Sequence, residues 1–362
     1  MRTFLFYVFF ISVLFSCKKN TQTELIFLDE YIVKDSLTIN NSVIGGLSGV
    51  DYSNGFYYFV VDDSRDPRFV KAKIDIEKNK IKSIDFKNVV CLNDTITAFY
   101  KETFLDLESI FIDKETQEVN FVSEGSIIKG KSPSVFTTDS LGNFVQNYTI
   151  PNYFIPNAIA KLKHNGAFEG SSKGINNKGF WVAMESPLLS DGEEPTFTKT
   201  SSPIRITYFD KAAKKATKQF AYQLEHITKP SQGRTNLNGL TAILEYKENH
   251  FLIVERTYQS GYGALGNIIR IFEASVDENT SNILDIESLR ETSFIPLKKR
   301  LVFDFEDIRD RLTGGIIDNI EGITFGEKLA NGNQSLVLVS DDNFQAYGKQ
   351  LNQFVLLEIK NK

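Results

Sequence analysis

A two-part phrase recurs five times along this chain, and no other feature restricts the fold as much. Each copy opens with a turn bearing Gly or Glu and an apolar run. A polar turn follows, then a second apolar run that ends on an acid. Residues 45–51 are answered by 59–63, 106–111 by 121–125, 167–170 by 180–186, 238–243 by 251–256, and 318–325 by 336–344. The opening acid precedes the closing acid by 16 residues in the second copy (108 to 124) and the third (169 to 185). Copies follow one another at 60 residues (48 to 108) and 61 residues (108 to 169), with longer insertions later. Repetition of this size implies radial or stacked units, because one unit cannot bury its apolar face alone.

Each copy reads as a hairpin with turns such as Asn54-Gly55, Asn176-Asn177 and Asn331-Gly332-Asn333. Strand ends that share a residue type around a ring collect those side chains at one rim. A β-propeller does this with blades of about four strands. Five visible copies and one too degraded to see predict an all-β, six-bladed β-propeller. The sixth blade is expected among residues 257–300 or across the two termini. A β-sandwich with coincidental Glu-Gly turns is the alternative, and five paired matches argue against it.

Residues 1–17 form a targeting segment: Arg2 is the only early charge, the run from Phe4 to Phe15 is apolar apart from Ser12, and it is short for a bilayer span. Its end, Leu14-Phe15-Ser16-Cys17, resembles a bacterial lipoprotein signal in which Cys17 receives lipid. Residues 18–38 then make a tether and first strand region, and 39–362 make the propeller domain. The chain is expected in the bacterial cell envelope, at the outer membrane, touching membrane only through its lipid. With Cys17 modified, Cys91 has no partner for a disulfide and reads as a small buried hydrophobe.

The formal net charge of −5 removes the electrostatic case for nucleic acid and leaves one for cations. Thirty phenylalanines and 14 tyrosines favour strands. Residues 211–218 lack an apolar face and read as a hairpin turn, whereas 301–312 carry helical spacing. Loops at 225–237 and 257–267 are expected over one propeller face, where function concentrates.

The recurring acids are the candidates for chemistry. Asp62, Asp63, Glu108, Glu124, Glu169, Glu321, Asp341 and Asp342 are expected metal ligands. Carboxylates crowded at one rim need cations to coexist, and calcium takes six to eight oxygens in loose geometry. Asp62, Glu185, Glu255 and Asp341, which close strands where loops converge, are the expected catalytic acids. Arg68 and Arg256 beside them are expected to hold a substrate anion. Glutamates that only staple blade to blade through backbone N–H groups are the structural alternative. The histidines, His164, His226 and His250, have no metal-ligand spacing, and Gly46-Leu47-Ser48-Gly49 is not a nucleophile elbow.

These phrases together resemble the phytase-like family, described as having esterase-like activity. The resemblance rests on residues 46–51 with 61–64 and Arg68, 107–110 with 123–125, 165–170 with Glu185, 252–256, and 319–323 with 340–344. It implies a β-propeller that hydrolyses phosphate or other esters, with calcium ions and basic side chains holding phosphate and activating water. No lysine-rich phosphate cradle maps onto the chain. The expectation is therefore a monomeric, calcium-dependent hydrolase of a small ester or phosphoester. A non-catalytic binding propeller with structural calcium, or a lactonase- or esterase-like propeller, are the alternatives.

Overall fold

The computed structural model describes residues 23–92, 97–156, 162–163 and 165–361. The targeting segment with Cys17, and His164, lie outside the described residues. Each of the five phrases forms the first two strands of a four-stranded antiparallel sheet. Blade 1 contains Leu47–Ser53, Phe56–Val61, Arg68–Glu77 and Lys80–Cys91. Blade 2 contains Leu107–Ile112, Val119–Ser123, Ser134–Thr138 and Phe144–Asn147. Blade 3 contains Phe168–Lys173, Gly179–Met184, Pro203–Asp210 and Lys215–Gln223. Blade 4 contains Asn236–Lys247, His250–Gln259, Asn267–Ser275 and Lys298–Asp304. Blade 5 contains Ile320–Lys328, Gln334–Ser340 and Asn352–Asn361, and its outermost strand, Thr23–Val33, comes from the other end of the chain.

The first strands of the blades contact one another in sequence, and that of blade 5 contacts that of blade 1, so the ring closes at five. Among the described residues there are five blades and not the expected six. Residues 257–300 supply the end of the second strand of blade 4, its third strand, a long insertion and the start of its fourth strand. The terminal stretches complete blade 5 instead of building another blade. Strand Thr23–Val33 runs antiparallel to Asn352–Asn361, pairing Thr23 with Asn361 and Val33 with Asn352. This joins the two ends of the ring through backbone hydrogen bonds and leaves it no open seam.

Among the described residues, several phenylalanines lie between blades, where each sheet needs an apolar face to cover. Phe69 meets Phe121 from blade 2 at 5.7 Å between ring centres, and Phe111 meets Phe180 from blade 3 at 4.7 Å. Burying one such ring is worth roughly 2–3 kcal/mol, and between blades 4 and 5 aliphatic side chains such as Leu244, Leu252, Ile323 and Leu338 fill the same role. Residues 211–214 do turn a hairpin between Pro203–Asp210 and Lys215–Gln223. The segment read as a helix at 301–312 divides: Lys298–Asp304 is a strand and Phe305–Arg311 a 3₁₀ helix capped by the Asp304 carboxylate. Cys91, expected to be buried, is a half-buried free cysteine at a strand end.

Candidate functional site at the channel mouth

Every blade carries a bulge near the start of its first strand. The register skips at Ser48, Glu108, Thr241 and Glu321, and across Glu169-Gly170 in blade 3. A bulge re-aims the extra residue, here toward the central channel. One residue beyond the pair that flanks each bulge, the second strand supplies the closing position: Asp62, Glu124, Glu185, Arg256 and Asp341. Opening positions Glu108, Glu169 and Glu321 and closing positions Asp62, Glu124, Glu185 and Asp341 therefore meet at one mouth of the channel, around Arg256. They line a cavity of about 590 Å³, with Asp106, Asp318, Asn319, Tyr258, Tyr347 and Lys349 also in its wall.

Blades 1 and 4 place hydroxyls at the opening position, and these bind the next blade. Ser48 donates to the Leu107 carbonyl at 2.9 Å and Thr241 to the Ile320 carbonyl at 2.7 Å. Ser48 is thus a structural link and not a nucleophile. Glu124 combines the two roles weighed from sequence. Its Oε1 accepts the backbone N–H groups of Gly166 (2.5 Å) and Ala167 (2.7 Å) from blade 3, while its carboxylate also lines the cavity.

The electrostatics follow from crowding. Burial, reinforced by the charges of Asp341, Asp106 and Glu124, pushes the Asp62 carboxyl up to about 8. Burial raises Glu124 to about 7, against the pull of the Ala167 N–H and with the push of Glu185. Burial likewise lifts Glu321 to about 8 even though Arg256 draws it down. Glu108, Glu169 and Asp341 are driven well above the ordinary carboxylate range by burial first and by neighbouring acids second. Arg256 bridges the ring: it reaches Glu185 at 3.1 Å, Glu321 at 3.0 Å and the Asn319 side chain. Its burial disfavours the cation, but Glu321 and Glu185 outweigh that and hold it charged. Asp62, Asp106 and Glu108 each bring a carboxylate oxygen within 4.8 Å of the other two.

Four of the expected site residues lie elsewhere. Glu255 pairs with Leu240, one residue short of the ring position, so the alternation of a strand turns it to the opposite face. There it is fully buried, accepting from Tyr222 (2.7 Å), Asn238 (2.8 Å) and the Glu225 N–H (3.0 Å), with Lys299 beside it. Asp63 and Asp342 are the second members of their pairs, lie past the strand ends at Val61 and Ser340, and are taken up by scaffold contacts. Asp63 takes Arg65 and Arg68, and Asp342 accepts the Gly46 N–H at 2.8 Å, locking blade 5 to blade 1. Arg68 is buried against Ser42 (2.8 Å) and the Asp66 carbonyl (2.8 Å), outside the cavity. Asp106 was missed from sequence. Its counterparts before the bulge in the other blades are Gly46, Ala167, Gly239 and Asn319, so no repetition marks it.

A family profile described as "Phytase-like: Esterase-like activity of phytase" matches residues 42–344. The chain belongs to this family. The Phytase-like match begins just before blade 1 and takes in the acid-bearing phrases of all five blades, ending inside the blade 5 loop that carries Asp341. No curated protein matches the sequence. Among solved structures, the Dos1 propeller shares 10% identity over 88% of this chain and 69% of its own, with a TM-score of 0.35. A thermostable family-43 glycoside hydrolase shares 10% over 88% and 90%, with a TM-score of 0.47. The Malassezia sympodialis allergen Mala s 1 shares 11% over 90% and 82%, with a TM-score of 0.42. Likenesses this remote carry no argument about the chemistry of the Phytase-like chain.

Proposed function

We propose that this Phytase-like propeller is an envelope-anchored, calcium-dependent hydrolase of phosphate or related esters, working at the acid-lined channel mouth. The observation that carries the reading is the carboxylate ring, whose members push one another's protons up and are balanced in the cavity wall by Arg256 and Lys349. Such a ring needs a further cation to be ionised at neutral pH. The donor set fits a hard divalent ion: the three clustered side chains offer carboxylate oxygen only, as calcium prefers. Asp62, Asp106 and Glu108 would hold it, with Glu124 and Asp341 close by. A bound ion would supply positive charge that polarises the ester oxygen.

The chain's own residues supply the rest. Arg256, fixed by Glu185, Glu321 and Asn319, keeps 17% of its side chain open and can orient an anionic oxygen of the substrate. Glu185, paired to that guanidinium and facing the cavity, is placed to accept a proton from water. Cys17 would carry the lipid that holds the protein in the envelope.

One observation favours carboxylic esters or lactones over densely phosphorylated substrates. Among the described lining residues the cations are Arg256, already shared between two glutamates, and Lys349. Several phosphates would meet more carboxylate than cation. The deciding experiment is hydrolysis of p-nitrophenyl phosphate, phytate, p-nitrophenyl acetate and simple lactones, each with calcium and with chelator. Calcium-dependent release from one class supports the reading and fixes the reaction. No release from any class, with calcium still raising the melting temperature, replaces it with a binding propeller held together by metal.

A further inference from the structure

The strand that closes the ring also fixes which way the cavity faces. Thr23–Val33 pairs Val33 with Asn352 at the cavity end of blade 5, where the Gln353 N–H binds Ser340 Oγ at 2.8 Å. Thr23 pairs with Asn361 at the other end, level with the turn at 329–333 that precedes Gln334. Thr23 is tied down there: its hydroxyl meets Tyr246 Oη at 2.9 Å, and its carbonyl accepts from Arg300 at 3.0 Å. Tyr246 sits at the far end of the inner strand Asn236–Lys247, away from Arg256 and the acids. The chain therefore enters the propeller on the face opposite the cavity mouth.

We infer that the cavity opens away from the anchoring membrane and takes a water-soluble ester, not a lipid of that bilayer. This inference rests on the lipid anchor at Cys17 proposed above. From Cys17 to Thr23 there are six Cα steps, which span at most about 21 Å when fully stretched. From Asn238, at the level of the acid ring, to Tyr246, beside Thr23, the inner strand carries two bulges and spans between six and seven regular steps of its partner, a rise of roughly 21 Å. The loops around Ser260 and Tyr347 stand beyond the ring and add to that height. A mouth-down orientation would lift Thr23 farther from the bilayer than the tether reaches. A mouth-up orientation needs no stretching.

The test uses the full-length lipidated protein in liposomes whose surface carries an energy-acceptor dye. Single cysteines are introduced at Lys328→Cys, exposed on the entry face, or Tyr347→Cys, 85% exposed at the mouth, in a Cys91→Ser background, and labelled with a donor. The expected result is at least twofold more efficient transfer from position 328 than from 347. About twenty Gly/Ser residues inserted between Gln22 and Thr23 should shrink that difference, because a flexible linker of that length frees the orientation. Equal or greater transfer from position 347 overturns the orientation, as does a difference that the insertion leaves intact. Absence of lipid on Cys17 by intact mass overturns the anchor and this inference together, yet leaves the hydrolase reading to its own assay, which needs no membrane.

Discussion

The carboxylate ring makes stability depend on pH in a direction opposite to that of most acids. Glu124 shows the size of the effect. Its pKa moves from an ordinary carboxylate value to about 7, chiefly through burial. Between pH 4.5 and 7 the native chain keeps a proton that the unfolded chain has already released, so stability falls as pH rises and levels off above 7. A shift of this size corresponds to about 3 kcal/mol for the one residue. With roughly 340 residues in the fold, the unfolding entropy is about 0.7 kcal/mol per kelvin, so the melting temperature should fall by about 4 °C. Asp62 and Glu321, each raised to about 8, extend the decline by another pH unit.

The assay is differential scanning calorimetry of the soluble chain from residue 21 onward, at pH 5 and pH 8, in chelator and in calcium. In chelator, pH 8 should melt at least about 4 °C below pH 5. Calcium at a hundredfold excess over its dissociation constant contributes about 2.7 kcal/mol, or about 4 °C, at pH 8. It should contribute much less at pH 5, where protons occupy the same oxygens. A melting temperature in chelator that is flat or rising from pH 5 to pH 8 would refute the reasoning, as would a calcium effect equal at both.

Substitutions at four places probe the parts separately. Asp62→Asn with Asp106→Asn should cut the calcium-induced rise at pH 8 from about 4 °C to under about 1 °C, while raising the melting temperature in chelator because repulsion is relieved. Arg256→Leu should cost about 3–5 kcal/mol at pH 8 by leaving Glu185 and Glu321 without their cation, measured by urea unfolding, with Arg256→Lys recovering only part. Glu255→Gln should cost about 3 kcal/mol through its buried contact with Lys299, yet leave the calcium response at pH 8 intact; loss of that response would show that the register argument is wrong. Gly49→Ala should cost about 1–3 kcal/mol, because its new Cβ would lie 2.9 Å from the Glu108 carbonyl oxygen and the Ser109 Cα.

The hairpins, the ring and most of its acids were legible because they repeat. A side chain that occupies the same place in several blades leaves a period in the sequence, as Glu108, Glu169 and Glu321 do. Asp106 occupies a place where the other blades carry Gly46, Ala167, Gly239 and Asn319, so its approach to Asp62 and Glu108 is a fact of tertiary structure alone. Glu255 fails for a narrower reason. The fourth copy ends Val254-Glu255-Arg256, and an eye for acids stops one residue early. Strand alternation makes that single step the difference between the channel and the space behind it. The Asp62-Asp63 and Asp341-Asp342 pairs pose the same choice. In both, the first member faces the cavity and the second serves the scaffold.

The close approach of the inner strands has a physical signature of the same kind. The residue after the opening position is small in all five copies: Gly49, Ser109, Gly170, Ala242 and Gly322. At this level the inner strands press backbone against backbone. A Cβ on Gly170 would stand 3.0 Å from the Ile243 nitrogen, and one on Gly322 would stand 2.9 Å from the Val50 side chain. Gly inside a strand often marks such a close backbone approach. Small residues at that position announce close approach in each copy but carry no count of the copies. The count comes from closure, which is set by the strand Thr23–Val33, outside every repeat. The tight ring also crowds the acids: because the strands draw close just below the bulges, Asp62, Asp106 and Glu108 are forced within reach of one ion. The small residues that let the inner strands draw close thereby help create the charge density on which the proposed chemistry depends.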